Sequence, residues 1–321
     1  MDRRRFAFTL AGGVIAASID VYAQKADKVF QIGFLRVGMF PIAPAFWDAM
    51  RPLGWFEHKN LTIEPRYAAS EARLPALATE LVNSSVDAIL TSGTPSAFAA
   101  KKATATIPVV FVVGGDPVER RLVASLARPG GNLTGFAYGI YDEKLLEAIK
   151  MTLPKVVRVA VPYPAAWTNA NVPGPAAFSA AKALGLQLHP MPMQGPDDFP
   201  RVYAIAQKAR ADAVLFLNIA WPFAIDFEHV AIDSIRSRMP AIFHERRFVE
   251  AGGLLSHGPV NEQHWPRVAS QIDRILRGTM PADLPVEQPT KFERVINLKT
   301  AKALGIEISP SALLHADDVI R

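Results

Sequence analysis

Val86-Asp87-Ala88-Ile89-Leu90 returns, in altered spelling, as Ala211-Asp212-Ala213-Val214-Leu215. Ile107-Pro108-Val109-Val110-Phe111 returns in the same way as Met239-Pro240-Ala241-Ile242-Phe243. Each is a short apolar block entered through a polar residue or a proline, the pattern of a buried strand. Ile32 to Asp87 and Val159 to Asp212 span nearly equal lengths, so whole units are repeated. A repeat of more than a hundred residues is too long for a solenoid and predicts two similar α/β lobes.

Elements read outward from these blocks keep the same order twice. In the first copy, strands are predicted at 29–36, 61–67, 88–91 and 109–113, and helices at 43–53, 71–83 and 95–103. Within the second helix Leu74, Leu77, Ala78 and Leu81 recur at helical spacing. In the second copy, strands are expected at 158–161, 186–191, 213–217 and 241–243, and helices at 175–184, 199–209 and 223–238. Short apolar strands alternating with helices predict mostly parallel sheets flanked by helices.

Ligands of open α/β sheets bind at the carboxyl ends of the strands. Two such edges facing across a hinge make a cleft. Pro129-Gly130-Gly131-Asn132, with Thr134 to Ala137, is turn-rich and reads as a first crossing between lobes; Gly252-Gly253 reads as a second. The proline-rich 281–289 leads to a last strand at 292–297 and a short helix at 300–304. The expected division is residues 28–137 plus 257–287 for lobe 1, and 138–256 plus 288–321 for lobe 2.

Composition narrows the function. The 321 residues carry a formal net charge of +5, part of it in Arg3-Arg4-Arg5, with no basic stripe elsewhere to track a nucleic acid. Beyond the first thirty residues no apolar run approaches the ~20 needed to cross a bilayer, so no stable membrane insertion is expected. Arg3-Arg4-Arg5-Phe6, the apolar stretch to Ile19 and Val21-Tyr22-Ala23 read as a twin-arginine-like signal peptide, residues 1–23, cleaved after Ala23. The alternative is a short buried or anchoring helix. Cysteine is absent, which excludes disulfides, thiol nucleophiles and an acylated-cysteine anchor. A freely diffusing periplasmic protein is the expectation.

Several blocks together resemble a known family. They are Leu74-Pro75-Ala76-Leu77-Ala78, Ser92-Gly93-Thr94-Pro95-Ser96, Gly114-Gly115-Asp116-Pro117-Val118, Ser125 to Gly135, Phe248 to Leu254, Pro285 to Glu293 and Val295 to Gly305. They look like the ABC transporter substrate-binding proteins that include the tryptophan/tyrosine-type binders. The resemblance runs from about Val29 to the C-terminus. It implies a type I periplasmic-binding fold, an amino-acid-like ligand, and delivery to a membrane permease with its ATPase.

Candidate ligand residues follow from strand ends and from the resemblance. Thr94 is expected to cap a helix with Pro95 at its first position, leaving free amides beside Ser96 for a carboxylate, with Ser92 as a neighbour. The alternative is an ordinary cap. Asp116 follows a strand and two glycines, and the family's amino-acid binders suggest that it receives an ammonium group; an Asp-Pro turn capping its own backbone is the competing reading. Arg36 ends the first strand and can hold an anion bidentately, or else form a salt bridge. Phe34 reads as core. In the second lobe Tyr163, Asn169, Asn218 and Glu245 follow strands; Trp167, Trp221 and Phe223 offer stacking or core packing. His244 beside Glu245 can couple binding to pH.

Catalytic signatures are missing: the sequence has no Gly-x-Ser-x-Gly elbow, no His-Glu-x-x-His and no phosphate-binding loop. His257 and His264 lack a third metal ligand. No cofactor or metal is expected, and a monomer suits a clamp that closes on its ligand. A binding protein that signals to a membrane receptor, and an exported enzyme, stay as alternatives at this point.

Overall fold

The computed structural model describes residues 28–39, 41–139, 141–165, 173–217, 225–260 and 264–321. The signal-peptide reading, Asn169, Asn218, Trp167, Trp221 and Phe223 fall outside these residues. The first sheet contains β1 (Phe30–Val37), β2 (Leu61–Ala68), β3 (Ala88–Ser92), β4 (Val109–Val113) and β5 (Leu133–Ala137) in the order β2-β1-β3-β4-β5. All of its pairings are parallel. The second contains β6 (Arg158–Pro164), β7 (Gln187–Met193), β8 (Ala213–Leu215), β9 (Ala241–Phe243), β10 (Leu255–Pro259), β11 (Phe292–Asn297) and β12 (Asp318–Ile320). Its order is β12-β11-β10-β9-β8-β6-β7, with β10 and β11 antiparallel. Read from β7, its first five strands repeat the order of the first sheet. The two-lobed α/β architecture is therefore present, with one sheet mixed rather than wholly parallel.

Both faces of each sheet are covered, as parallel strands require. In lobe 1, Leu35, Ile89, Val109 and Phe111 point to helices α2 (Leu74–Asn83) and α3 (Thr94–Ala103). Ile32, Phe34, Leu90 and Val110 point the other way, to α1 (Pro44–Met50) and to a helix far away in sequence, His264–Leu276. That late helix inserts Val268, Ala269, Ile272 and Ile275, a stripe at helical spacing. Lobe 2 repeats the layering. Val159, Val161 and Leu215 face α4 (Asp142–Thr152) and α5 (Pro175–Ala183), while Phe216 and Phe243 face α6 (Val202–Lys208), α7 (Phe227–Arg236) and α8 (Arg246–Glu250). His264–Leu276 is thus α9 in chain order; α10 (Leu298–Leu304) and α11 (Pro310–Leu314) close lobe 2.

Three expectations are corrected. The segment Thr134 to Ala137, read as part of a crossing, is the inner length of β5, and the first crossing comes after it. Gly135 hid the strand. Its φ of +155° and its contact with the Phe111 backbone leave no room for a side chain, so glycine is the residue that fits there. Gly252-Gly253 is no crossing, because β10 follows it in the second sheet; the chain leaves that sheet after Pro259. The helix expected over 199–209 begins as a 3-10 segment, Pro196–Arg201, since Pro200 has no N–H for an α-helical bond. Prolines are placed where a missing N–H is tolerated: Pro65 sits in β2, and Pro190 and Pro192 in β7, both outermost strands, while Pro162 and Pro164 of the inner β6 lie beyond its pairing with β8, which ends at Ala160.

The connector after α9 is strapped to β5. Glu287 donates its N–H to Gly135 O and accepts from Ala137 N, both at 2.9 Å, and its carboxylate pairs with Arg267 at 2.7 Å. Where the first crossing enters lobe 2, ionisable groups gather. Tyr138 Oη lies 2.9 Å from His264 Nδ1, and burial with the nearby Glu245 charge raises its pKa. Burial pushes the Asp142 carboxyl up to about 6; Glu143 adds to this and His244 opposes it.

Two outcomes are expected. Gly135→Ala places a methyl 2.1 Å from Phe111 O and should cost about 3–5 kcal/mol in urea unfolding; a variant of unaltered stability would contradict the close approach. Asp142 has a folded value above its ordinary 3.8, so the stability it contributes is present at acid pH and is lost as pH rises towards 6. Asp142→Asn should therefore stabilise by about 2 kcal/mol at pH 8 and by almost nothing near pH 4. An equal effect at both pH values would show that titration is not the cause.

Candidate functional site

The carboxyl ends of β1, β2 and β3 lie side by side. In the parallel register Arg36 stands opposite Tyr67 on one side and Ser92 on the other. Beyond them the chain turns into α3 through Gly93, whose φ of +95° suits glycine and whose N–H donates to Val112 O at 2.9 Å. Arg36, Val37, Glu71, Ser92, Gly93, Pro95 and Ser96 together line a cavity of about 200 Å³. Four residues singled out from sequence therefore meet in one place: Arg36, Ser92, Pro95 and Ser96.

Its lining is polar in a particular way. Arg36 is half-buried, and desolvation lowers its pKa, with the neighbouring Tyr67 opposing this. The first-turn amides of Thr94 and Ser96 have no intrahelical acceptor, and the helix dipole adds positive potential there. Ser96 is 1 % exposed, and among the described residues its Oγ has no hydrogen-bond partner. A buried hydroxyl left unsatisfied costs free energy unless something supplies a partner. Cation, amides and hydroxyls converge on a space suited to a carboxylate.

Two details of this helix start differ from expectation. Gly93, not Thr94, is the cap residue, and Thr94 is the first helical residue with Pro95 after it. Thr94 Oγ1 reaches Gly114 O at 3.4 Å and ties the turn to the loop after β4. Asp116, on that loop, has the Asp-Pro turn geometry: its Oδ1 accepts from Val118 N at 2.7 Å and Glu119 N at 3.3 Å. It is not among the residues that line the cavity.

On the second lobe Tyr163 is the counterpart of Arg36. Ile32 pairs with Ala88 and Val159 with Ala213, and Arg36 and Tyr163 lie equally far along their strands. Glu245 precedes α8, with its carboxylate 3.3 Å from His244 Nε2 and 2.6 Å from Arg247 Nε. Glu71 was missed from sequence. It was absorbed into a helix, although its place just beyond β2 made it a strand-end residue like the others. A larger cavity, about 520 Å³, lies at the far end of α3, lined by Lys101, Arg121 and the Gly130-Gly131 turn. Lys101 there already donates to Arg121 O and Leu122 O. Among the described residues no group of three His, Asp or Glu side chains is placed to hold a metal, and no helix is long and apolar enough to cross a membrane.

The architecture and sequence match known proteins. A tyrosine-binding protein of Clostridioides difficile is 26% identical over 263 residues, covering 82% of this chain and 76% of its own. A crystal structure of a conserved domain protein from Vibrio cholerae superposes with a TM-score of 0.80 at 28% identity, covering 91% of this chain and all of its own. A Streptococcus ABC domain in complex with L-Trp gives 0.79 at 25% identity, covering 91% of this chain and 99% of its own. Residues 38–320 match the family described as ABC transporter substrate binding protein, and the chain belongs to that family.

Proposed function

We propose that this protein is the solute-binding component of an ABC import system and captures an amino acid or a related small carboxylate. The observation that carries this reading is the cavity at the carboxyl edge of the first sheet, where Arg36, Ser92, Ser96 and the α3 amides converge. An aromatic side chain on the ligand is favoured because one relative is a tyrosine-binding protein and another similar structure holds L-Trp. The carboxylate docks on lobe 1 first. Lobe 2 then closes over it, with Tyr163, Asn169, Asn218 and Glu245 as its contributions to ligand binding.

Closure expels water and strengthens each polar contact, since the same charges attract more strongly at lower effective dielectric. The ligand leaves unchanged; this chain binds and does no chemistry. Export by the N-terminal segment, with cleavage after Ala23, places the mature monomer in the periplasm. A permease and its cytoplasmic ATPase then take the ligand from the closed form.

A thermal-shift screen of the chain from Gln24 onward, against amino acids and small aromatic acids, tests the reading. A ligand at 100 times its Kd should stabilise by about 2.7 kcal/mol. Arg36→Met should weaken a carboxylate ligand at least ~10-fold in calorimetry, as loss of a charge-assisted bond predicts. Undiminished affinity in that variant would move the carboxylate elsewhere, and a broad library with no hit would refute the amino-acid reading.

A further inference from the structure

We infer that Glu71 is the acceptor for the ligand's ammonium group, so that Arg36 and Glu71, which line one cavity, read the two charges of a zwitterion. This rests on the amino-acid reading above and adds to it the residue that separates an amino acid from a plain carboxylic acid.

Both side chains line the same small cavity, yet they do not pair with each other. Among the described residues Glu71 forms no ion pair or hydrogen bond through its carboxylate, although basic groups are near in sequence. Arg66 is taken up by Glu64 at 2.7 Å and Glu80 at 2.9 Å. Arg73, on the same 3-10 turn as Glu71, is exposed and makes no ion pair. An acid and a base that line one cavity without an ion pair between them match a ligand carrying both charges on one carbon. The carboxylate end has its own independent mark in Ser96, buried, unpartnered among the described residues and part of the same lining. Asp116 serves less well, because one of its oxygens already accepts two backbone N–H groups and it stands outside this lining.

The position of Glu71 gives it the freedom the role requires. It lies two residues beyond β2, after Ala69 and Ser70, as the first residue of the 3-10 turn Glu71–Arg73 that leads into α2. Its backbone is therefore fixed by the sheet and the helix, while its partly exposed carboxylate keeps solvent until a ligand displaces it. A hydrogen bond between an ammonium and a carboxylate is charge-assisted on both sides, and its loss costs about 10- to 100-fold in affinity.

The test is titration calorimetry on the mature chain with L-tryptophan and L-tyrosine. Each is paired with its acid lacking the amino group, 3-indolepropionate and 3-(4-hydroxyphenyl)propionate. The wild type should prefer the amino acid of each pair by about 10- to 100-fold. Glu71→Gln should erase that preference by weakening the amino acid alone, with thermal unfolding confirming an intact fold. Retention of the preference in Glu71→Gln, or its loss in Asp116→Asn instead, overturns the inference. Equal binding of both members by the wild type also overturns it, while leaving the carboxylate pocket standing. Failure of all four probes, with binding of some other solute, removes the amino-acid reading and this inference with it.

Discussion

One carboxylate in each lobe ties two neighbouring strands together at their starts. Asp87 accepts from Gln31 N at 2.8 Å, while its own N–H donates to Gln31 O. Asp212 does the same for Arg158, accepting its N–H at 2.7 Å, and takes Val157 N as well. Burial would raise the Asp212 pKa, but the backbone bonds from Arg158 and Val157 outweigh it and hold the carboxyl below its ordinary value. This clip sets the register of β1 against β3 and of β6 against β8. A slip of one residue would turn every buried side chain to the wrong face. It would also carry Arg36 away from Ser92, so the edge that carries the candidate cavity depends on a bond at the opposite end of the sheet.

Duplication gives the two lobes the same scaffold and leaves them free to differ at the strand ends. The prolines of the repeated blocks act alike: Pro108 O accepts from Ile89 N, and Pro240 O from Val214 N. At the carboxyl edge the likeness stops, with Arg36 on one side and Tyr163 in the matching place on the other. Charge sits where the sheet is fixed and an amphipathic phenol where the opposite lobe ends. Such a division puts the costly desolvated cation on the lobe with the preformed pocket.

The repeat was legible because burial on both sheet faces forces continuous apolar strands, and these stand out at any register. β4 and β9 were read to the residue for that reason. β5 escaped because its glycine and the turn before it carry the signals of a loop. β10, parallel to β9, escaped because Gly252-Gly253 looked like a break. At the candidate site, Arg36 and Ser92 were legible as strand-end residues and Pro95 and Ser96 as the helix start that follows, and the structure shows that all four line one cavity. Glu71 was not, since a helical pattern explained it first. Whether Asp116 is bent into its own turn depends on side-chain geometry that sequence does not carry.

Helix α9 covers lobe 1 but is encoded after the first five strands of lobe 2. On the ribosome, the face formed by Ile32, Phe34, Leu90, Val110 and Phe136 therefore emerges without its lid. At ~5–20 residues per second the wait between β5 and α9 is on the order of ten seconds, long compared with hydrophobic collapse. A nascent chain in that interval shows a sticky apolar sheet, and its first lobe cannot mature alone. Chaperone demand during synthesis should thus track the distance between β5 and α9 rather than the size of either lobe.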